Sequence, residues 1–306
     1  FLKPTTPSPI LSGLVGSEMC IRDRFVGALI SITLRGFNLG LDFSGGSLVE
    51  IKYPEPVALE TIRSVLEESG FEDYQVVNFG SNLDVLIKIA EQSAGSSVGD
   101  EVFNTLTAAG LNGELQRNEF VGPQIGSELR DQGGLGMLVA LGMILLYVAF
   151  RFQYKFALGA VGALGHDVVI ILGLFSFFRW DFDLSVLAAI LAVIGYSLND
   201  TIVVSDRVRE NFRKKRRSNS EIAINRSLSQ MIGRTLITSL TTLLVLFALL
   251  IFGGETISNF SIALIVGVIS GTYSSIYIVC NTLLSLKVTS EDLMIRKTEV
   301  LDDGMP

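Results

Sequence analysis

The chain has 306 residues, a mean hydropathy of +0.49 and a formal net charge of −7. Hydrophobic residues make up 49% of it, and several apolar runs reach about 20 residues, which is the length of a helix that crosses a bilayer. This composition excludes an ordinary soluble protein, and the single histidine excludes a multi-histidine metal site.

The first 24 residues differ in character from the rest of the chain. They carry three prolines in the first nine positions and end in the charged run Arg22-Asp23-Arg24. The apolar run that follows, Phe25–Leu34, has only half of the roughly 20 residues that a spanning helix needs. We therefore expect residues 1–24 to be foreign sequence without native structure, and 25–35 to be a truncated first transmembrane helix. A natural, variable N-terminus with an interfacial segment is the alternative.

Residues 36–132 have the alternating periodicities of a soluble α+β domain. The order of the runs is β-α-β-β-α-β, which predicts a ferredoxin-like fold with both helices on one face of a four-stranded sheet. We expect a tight hairpin turn at Ser81-Asn82, and helix ends at Gly70 and Gly110. The predicted strands are Leu41–Tyr53, Tyr74–Gly80, Val85–Ala90 and Glu114–Ile125, and the predicted helices are Ala58–Ser69 and Val98–Ala109.

Five long apolar runs follow this domain and predict a five-helix transmembrane bundle over residues 133–290. Residues 291–306 are then a terminal tail. Small residues at four-residue spacings within the bundle predict close helix packing at Gly159, Gly162, Ala163, Gly267 and Gly271. The five runs are 133–150, 156–178, 184–205, 231–252 and 259–286.

The distribution of basic residues predicts the orientation in the membrane. The loop Arg151–Lys155 is purely basic, and the stretch Arg207–Arg234 contains nine Lys or Arg against two Glu. The connections Arg179–Asp183 and Gly253–Asn259 are mostly acidic. The positive-inside rule then places the basic loops and the C-terminus in the cytoplasm and residues 36–132 in the periplasm. Nucleic-acid binding by the KKRR run is the alternative, but beside two spans we expect no nucleic-acid partner.

Charged residues inside the predicted spans are candidate functional groups, because burying a charge in a bilayer costs at least about 2.5 kcal/mol. Asp200 lies in the span 184–205, and we place Asn199 on the same helix face. Arg234 and Thr238 lie four residues apart at a comparable depth in the next span, which runs in the opposite direction, so they can meet Asp200. A static salt bridge and a switchable proton site are both consistent with this pattern.

His166 and Asp167 form a second polar pair, about halfway along the span 156–178. A histidine hydrogen-bonded at a helix interface and a direct proton relay remain equally open. The sequence does not rank Asp167 against Asp200.

Five ordered motifs identify a family. Over residues 25 to 290 the chain resembles the SecF branch of the SecD/SecF family. The motifs that carry the resemblance are FNLGLDFSGGSLVEI, GPQIG, GHDVVI, GYSLNDTIVVSDRVRENFRK and RTLITSLTT. The resemblance implies a six-helix half of a resistance-nodulation-division-type fold. It also places the family's intramembrane acid on Asp200 and its arginine and threonine on Arg234 and Thr238. Two further motifs match the base of the periplasmic domain, where glycines can supply special backbone angles: Asp42, Gly45 and Gly46, and Gly122, Pro123 and Gly126.

The family implies a function without covalent catalysis or a cofactor. Its members resemble membrane chaperones that use the proton motive force to complete protein export across the bacterial cytoplasmic membrane. The implied partners are SecD, the SecYEG channel, YajC, the translocating preprotein and membrane lipid. An efflux transporter of the same superfamily and a non-transporting scaffold are the competing functions. The short first helix departs from the family pattern and puts the docking of the soluble domain in doubt.

Overall fold

The computed structural model describes residues 14–71, 74–89, 98–214, 220–254 and 257–288. Within these ranges an α+β domain is inserted between a first helix, α1, and a bundle of five long helices. The predicted tail, 291–306, and the first 13 residues lie outside the described residues.

The first helix, α1 (Leu14–Arg35), is longer than the sequence suggests. It packs against a bundle helix through the close approach of Ala28 to Gly173 and through a hydrogen bond between Ser31 Oγ and Ser176 Oγ of 3.2 Å. The expectation that structure begins only at residue 25 is therefore wrong for Leu14–Arg24. The prolines all precede this stretch, so its backbone can extend the helix. Its foreign origin stays a prediction.

The soluble domain is the predicted ferredoxin-like fold. Its four-stranded antiparallel sheet has the order β3-β4-β2-β5, with β2 (Gly46–Lys52), β3 (Tyr74–Phe79), β4 (Ser81–Ile89) and β5 (Glu114–Val121). Helices α3 (Leu59–Glu68) and α4 (Val98–Ala108) bury one apolar face each in a single core on one side of the sheet. That core includes Val49, Ile87, Ile62, Leu66 and Leu106.

Three boundaries of the domain differ from the prediction. The stretch predicted as the start of the first strand is a short helix, α2 (Leu41–Ser44), because Gly45 and Gly46 adopt positive φ angles of 72° and 125° and separate it from β2. The hairpin turns at Gly80, with a φ of 77°, and not at Ser81-Asn82, so β4 begins at Ser81, four residues before the predicted Val85. Strand β5 ends at Val121, because Pro123 begins the next helix.

The five predicted spans are confirmed as the helices in the described part that are long and apolar enough to cross a membrane. Helix α9 packs against α6, α7 and α8, whereas α5 and α8 leave long rows of apolar side chains exposed. The helices extend beyond the apolar runs, and α5 is continuous with the base of the soluble domain. Their bounds are α5 (Pro123–Arg151), α6 (Tyr154–Phe178), α7 (Leu184–Lys214), α8 (Ser220–Phe252) and α9 (Ser258–Ser285).

Small residues let the central helices approach one another closely. A Cβ atom on Gly267 would lie 2.1 Å from Val193 Cγ2, and one on Gly271 would lie 3.1 Å from Ser197 Cβ. These two glycines of α9 thus allow α7 to pack against it, as predicted. Gly162 has open space around its Cβ position, so no close contact explains it.

Candidate functional site

Asp167 is the centre of a buried hydrogen-bond network that joins three helices. Its side chain is inaccessible to solvent, and Ser197 Oγ of α7 donates to its Oδ2 at 2.7 Å. Two hydroxyls of α9 donate as well, Ser274 to Oδ2 at 2.7 Å and Ser270 to Oδ1 at 2.8 Å. A carboxylate removed from water needs donors of this kind, so the site holds Asp167 with both oxygens satisfied.

His166 is also buried, with 4% of its surface exposed, and its Nδ1 lies 3.2 Å from Asp167 Oδ1. Its ring stacks on Phe25 of α1, and its Nε2 has no hydrogen-bond partner. A cavity of about 550 Å³ between α1, α6 and α9 reaches this histidine; Arg22, Asn281 and Thr282 also line it. The expected mid-helix polar pair is therefore present, and it leaves one ring nitrogen available.

Asp200 has a different environment from Asp167. It is buried in α7, with 8% of its surface exposed, yet its Oδ2 has no hydrogen-bond partner. Arg234 on the neighbouring helix α8 is near enough for its charge to act on Asp200. Its guanidinium does not donate a hydrogen bond to the buried Oδ2.

The other residues predicted to surround Asp200 are only partly brought to it. The hydroxyl of Thr238 donates to the carbonyls of Arg234 and Thr235 of its own helix, at 3.2 and 3.0 Å. Arg234 and Thr238 are exposed on α8, and so is Asn199 on α7. Asn199 was placed on the same helix face as Asp200, but adjacent helix residues point about 100° apart, and only Asp200 is buried.

Asp206, one and a half turns beyond Asp200, has an ordinary surface environment. It is half exposed and accepts from Arg151 at 3.2 Å and from Arg209 at 3.1 Å. Surface ion pairs of this kind contribute little. Asp206 therefore serves as a matched control for Asp200 on the same helix.

The DFSGG and GPQIG motifs meet where the soluble domain joins the bundle. Asp42 Oδ2 accepts from the backbone N–H of Leu184, the first residue of α7, at 3.1 Å. A Cβ atom on Gly126 of α5 would lie 3.0 Å from the backbone nitrogen of Gly45. Gly45 and Gly126 are therefore required by a close approach of two backbones.

The expectation of special backbone angles holds for Gly45 and Gly46 only. Gly122 has ordinary extended angles of −65° and 149° and is the N-cap of α5, and Pro123 occupies the first helical turn. Gly126 lies within that helix. The second motif thus starts a helix and makes room for α2.

Strand pairing and an ion pair complete this junction. A short strand β1 (Asn38–Leu39) pairs in parallel with β6 (Asp181–Phe182), which lies between α6 and α7. Lys88 of β4 forms a salt bridge with Asp181, and both side chains are largely shielded, at 23% and 29% exposed. Asn38 Nδ2 donates to the same carboxylate.

Sequence reasoning missed five residues of these networks: Ser197, Ser270, Ser274, Lys88 and Asp181. The available signal for the serines was their position in otherwise apolar spans, with Ser270 and Ser274 four residues apart. A serine in a helix usually bonds to its own backbone, so nothing in the sequence pairs these serines with Asp167. Among the described residues, no group of three or more His, Cys, Asp and Glu side chains could hold a metal ion.

Comparisons with known proteins agree with this architecture. Residues 101–289 match the model of the protein export membrane protein SecD/SecF C-terminal family, and residues 30–57 match the SecD/SecF GG motif. The chain is 52% identical over 281 residues to the protein translocase subunit SecF of Pseudomonas aeruginosa, covering 91% of each chain. It is 45% identical to the SecF subunit of Vibrio alginolyticus, covering 91% of this chain and 90% of that one.

The fold is also similar to a solved structure. The chain superimposes on SecDF of Thermus thermophilus, a translocon-associated membrane protein, with a TM-score of 0.83 and 36% identity. The match covers 93% of this chain and 40% of the SecDF chain. The chain therefore spans less than half of SecDF, which holds a further part outside the matched region.

Proposed function

The chain belongs to the SecD/SecF family as a SecF-type protein translocase subunit, and from this membership we propose that it converts the proton motive force into movement that completes protein export. The protein is a multi-pass membrane protein of the Sec translocase. In our proposal, protons cross the membrane at Asp200, in a complex of this chain with a SecD-like partner. Preproteins leaving a SecYEG channel are the substrate, and YajC is a further partner.

The observation that supports this proposal is the unsatisfied carboxylate of Asp200. It is buried within a membrane-spanning helix, its Oδ2 has no hydrogen-bond partner, and the field of Arg234 acts on it. The charge of a guanidinium on a facing helix acts on such a carboxyl group only while the two helices stay close together. In our proposal, a small displacement of α8 against α7 changes this interaction and lets the site bind and release a proton.

Asp167 has the opposite character, and we assign it a structural role. Three hydroxyls donate to it, and these bonds hold α7 and α9 to α6. We therefore take Asp200 as the transferring acid in this proposal. His166, whose Nε2 is unpartnered, is the accessory group at the cavity between α1, α6 and α9.

The energy available per proton is sufficient for a conformational change. One elementary charge crossing 100 mV releases about 2.3 kcal/mol. This can bias an equilibrium between two conformations that differ by a few kcal/mol. We place residues 36–132 in the periplasm, because the loops at the opposite end of the bundle carry the basic residues.

The test replaces Asp200 with asparagine in cells that lack any other copy of the subunit. Asp200→Asn keeps the shape of the side chain and removes its titration, so the protein should insert normally but fail to support proton-dependent export. Arg234→Met should fail as well, because the aspartate then remains protonated. The control Asp206→Asn should retain most of the activity. Export at the normal rate with Asp200→Asn would contradict the proposal.

A further inference from the structure

Besides the approach of Gly45 to Gly126, one short segment of the bundle receives several contacts from the soluble domain. Residues 181–184 connect α6 to α7, and they receive a strand pairing, an ion pair and a helix cap from the domain side. The backbone N–H of Gly40 also donates to the carbonyl of Phe182 at 2.8 Å. We call this segment, with its partners Asn38, Gly40, Asp42 and Lys88, the latch.

The latch lies at the start of the helix that carries Asp200. Helix α7 is continuous from Leu184 to Lys214. Asp200 lies 16 residues after Leu184, a distance of about 24 Å along the helix axis. A continuous helix transmits a tilt or a translation along its length, so a displacement near Asp200 also moves Leu184.

The chemistry of the latch favours a firm attachment. Asp42 accepts a hydrogen bond at the N-terminal end of α7, where the helix dipole favours a negative charge. Lys88 and Asp181 are mostly shielded from water, so their attraction is screened less than that of an exposed pair. The β1–β6 pairing, the hydrogen bond from Gly40 to Phe182 and three side-chain contacts must all break before the domain can leave this segment.

We propose that the latch makes the soluble domain and the N-terminal end of α7 move as one rigid unit. Movement of α7 at Asp200 is then transmitted to the domain. Asp42, Lys88 and Asp181 are positioning residues in this scheme. The inference rests on the proposed function, because it assumes that α7 moves when Asp200 changes its protonation.

A covalent lock tests the latch directly. Asn38 and Asp181 are register partners whose side chains touch, so Asn38→Cys with Asp181→Cys can form a disulfide. The lock is placed in a chain whose two native cysteines are replaced, and its formation is checked by gel mobility. Because Asp181→Cys removes the ion pair with Lys88, we expect the reduced protein to lose export by membrane vesicles. Oxidation should restore export to within about twofold of the parent that lacks cysteines. Loss of export on oxidation that is restored by reduction would show that the domain must detach, and would overturn the inference.

A charge swap tests the ion pair. Lys88→Glu places two acids together and should lower export at least tenfold, while proton uptake into vesicles continues. Lys88→Glu with Asp181→Lys restores the pair with reversed charges and should recover export. Glu60→Lys, on an exposed helix of the same domain, is the matched control and should leave export unchanged. If Lys88→Glu instead reduces the amount of inserted protein and its proton uptake together, the ion pair is only structural and the latch is refuted. Full export with Lys88→Glu would also refute the latch.

The two proposals fail in different ways. If Asp200→Asn exports normally, the proposed function is wrong, whatever the latch variants do. If Asp200→Asn blocks both proton uptake and export while Lys88→Glu leaves export intact, only the latch is wrong.

Discussion

Replacing Asp167 should destabilise the bundle, whereas replacing Asp200 should not. Asp167 accepts three hydroxyl hydrogen bonds of 2.7 to 2.8 Å, from Ser197, Ser270 and Ser274. Hydrogen bonds to a charged group contribute about 1.5–3 kcal/mol each, and neutral ones about 0.5–1.5 kcal/mol. Asp167→Asn keeps one acceptor oxygen, so it loses one such bond and weakens the other two. We expect a loss of about 3–5 kcal/mol in the free energy of unfolding.

The matched change, Asp200→Asn, removes no hydrogen bond from the unpartnered Oδ2. Its effect on the free energy of unfolding should stay within about 1 kcal/mol. The chain has a single tryptophan, Trp180, which stacks on Phe178 at the outer end of α6. Its fluorescence therefore reports unfolding of purified protein titrated with a denaturing detergent.

Two results would refute this reasoning. Equal stability of Asp167→Asn and the unmodified protein would mean that the three hydroxyl hydrogen bonds to Asp167 do not stabilise the bundle. A folded Asp167→Asn protein that loses proton uptake as completely as Asp200→Asn would make Asp167 a transferring acid, contrary to our ranking.

Three further predictions concern packing, alkaline stability and orientation. In thermal unfolding assays, Gly267→Ala should destabilise the bundle by about 1–3 kcal/mol, because the added methyl group would clash with Val193. Adding Val193→Ala should relieve that clash. The control Gly195→Ala has open space around the new methyl group and should not change stability. Burial raises the pKa of Tyr53 from its ordinary value of 10 to about 12, so the free energy of unfolding should fall as the pH rises from 10 to 12. Tyr53→Phe should reduce that fall when unfolding is measured at pH 9 and at pH 11. A cysteine replacing the exposed Glu221 should not react with an impermeant thiol reagent added to intact cells, and labelling from outside would reverse the assigned topology.

The regular elements could be predicted because their signals are local. An apolar run of about 20 residues identifies a spanning helix by itself. Likewise, the prediction of a helix over Ala58–Ser69 agrees with the observed Leu59–Glu68 to within a residue at each end. The misassigned α2 shows the limit of this approach, because its four residues continue the apolar alternation of β2. Only the positive φ angles at Gly45 and Gly46 separate the two elements.

The networks could not be predicted because their members are distant in the chain. Ser197, Ser270 and Ser274 reach Asp167 across 30, 103 and 107 residues of sequence, and the separation between Lys88 and Asp181 is 93 residues. Such contacts depend on how whole helices are arranged. Periodicity could place Asp200 and Arg234 at a similar depth, but it could not show that Asp167 is satisfied while Asp200 is not.

The order in which the chain is synthesised separates the folding of the domain from its attachment. Strand β5 completes the sheet beside β2, so in the proposed orientation the domain can fold once Val121 has left the ribosome and crossed the membrane. Strand β6, the partner of β1, follows α6 in the chain, so it becomes available only after two more helices have been translated. Until then the β1–β6 pairing cannot form, and we expect the segment Gly36–Gly40 to be more accessible to proteases at that stage. Defects in the insertion of α5 or α6 should prolong that stage and appear as cleavage in this segment, with the domain itself intact.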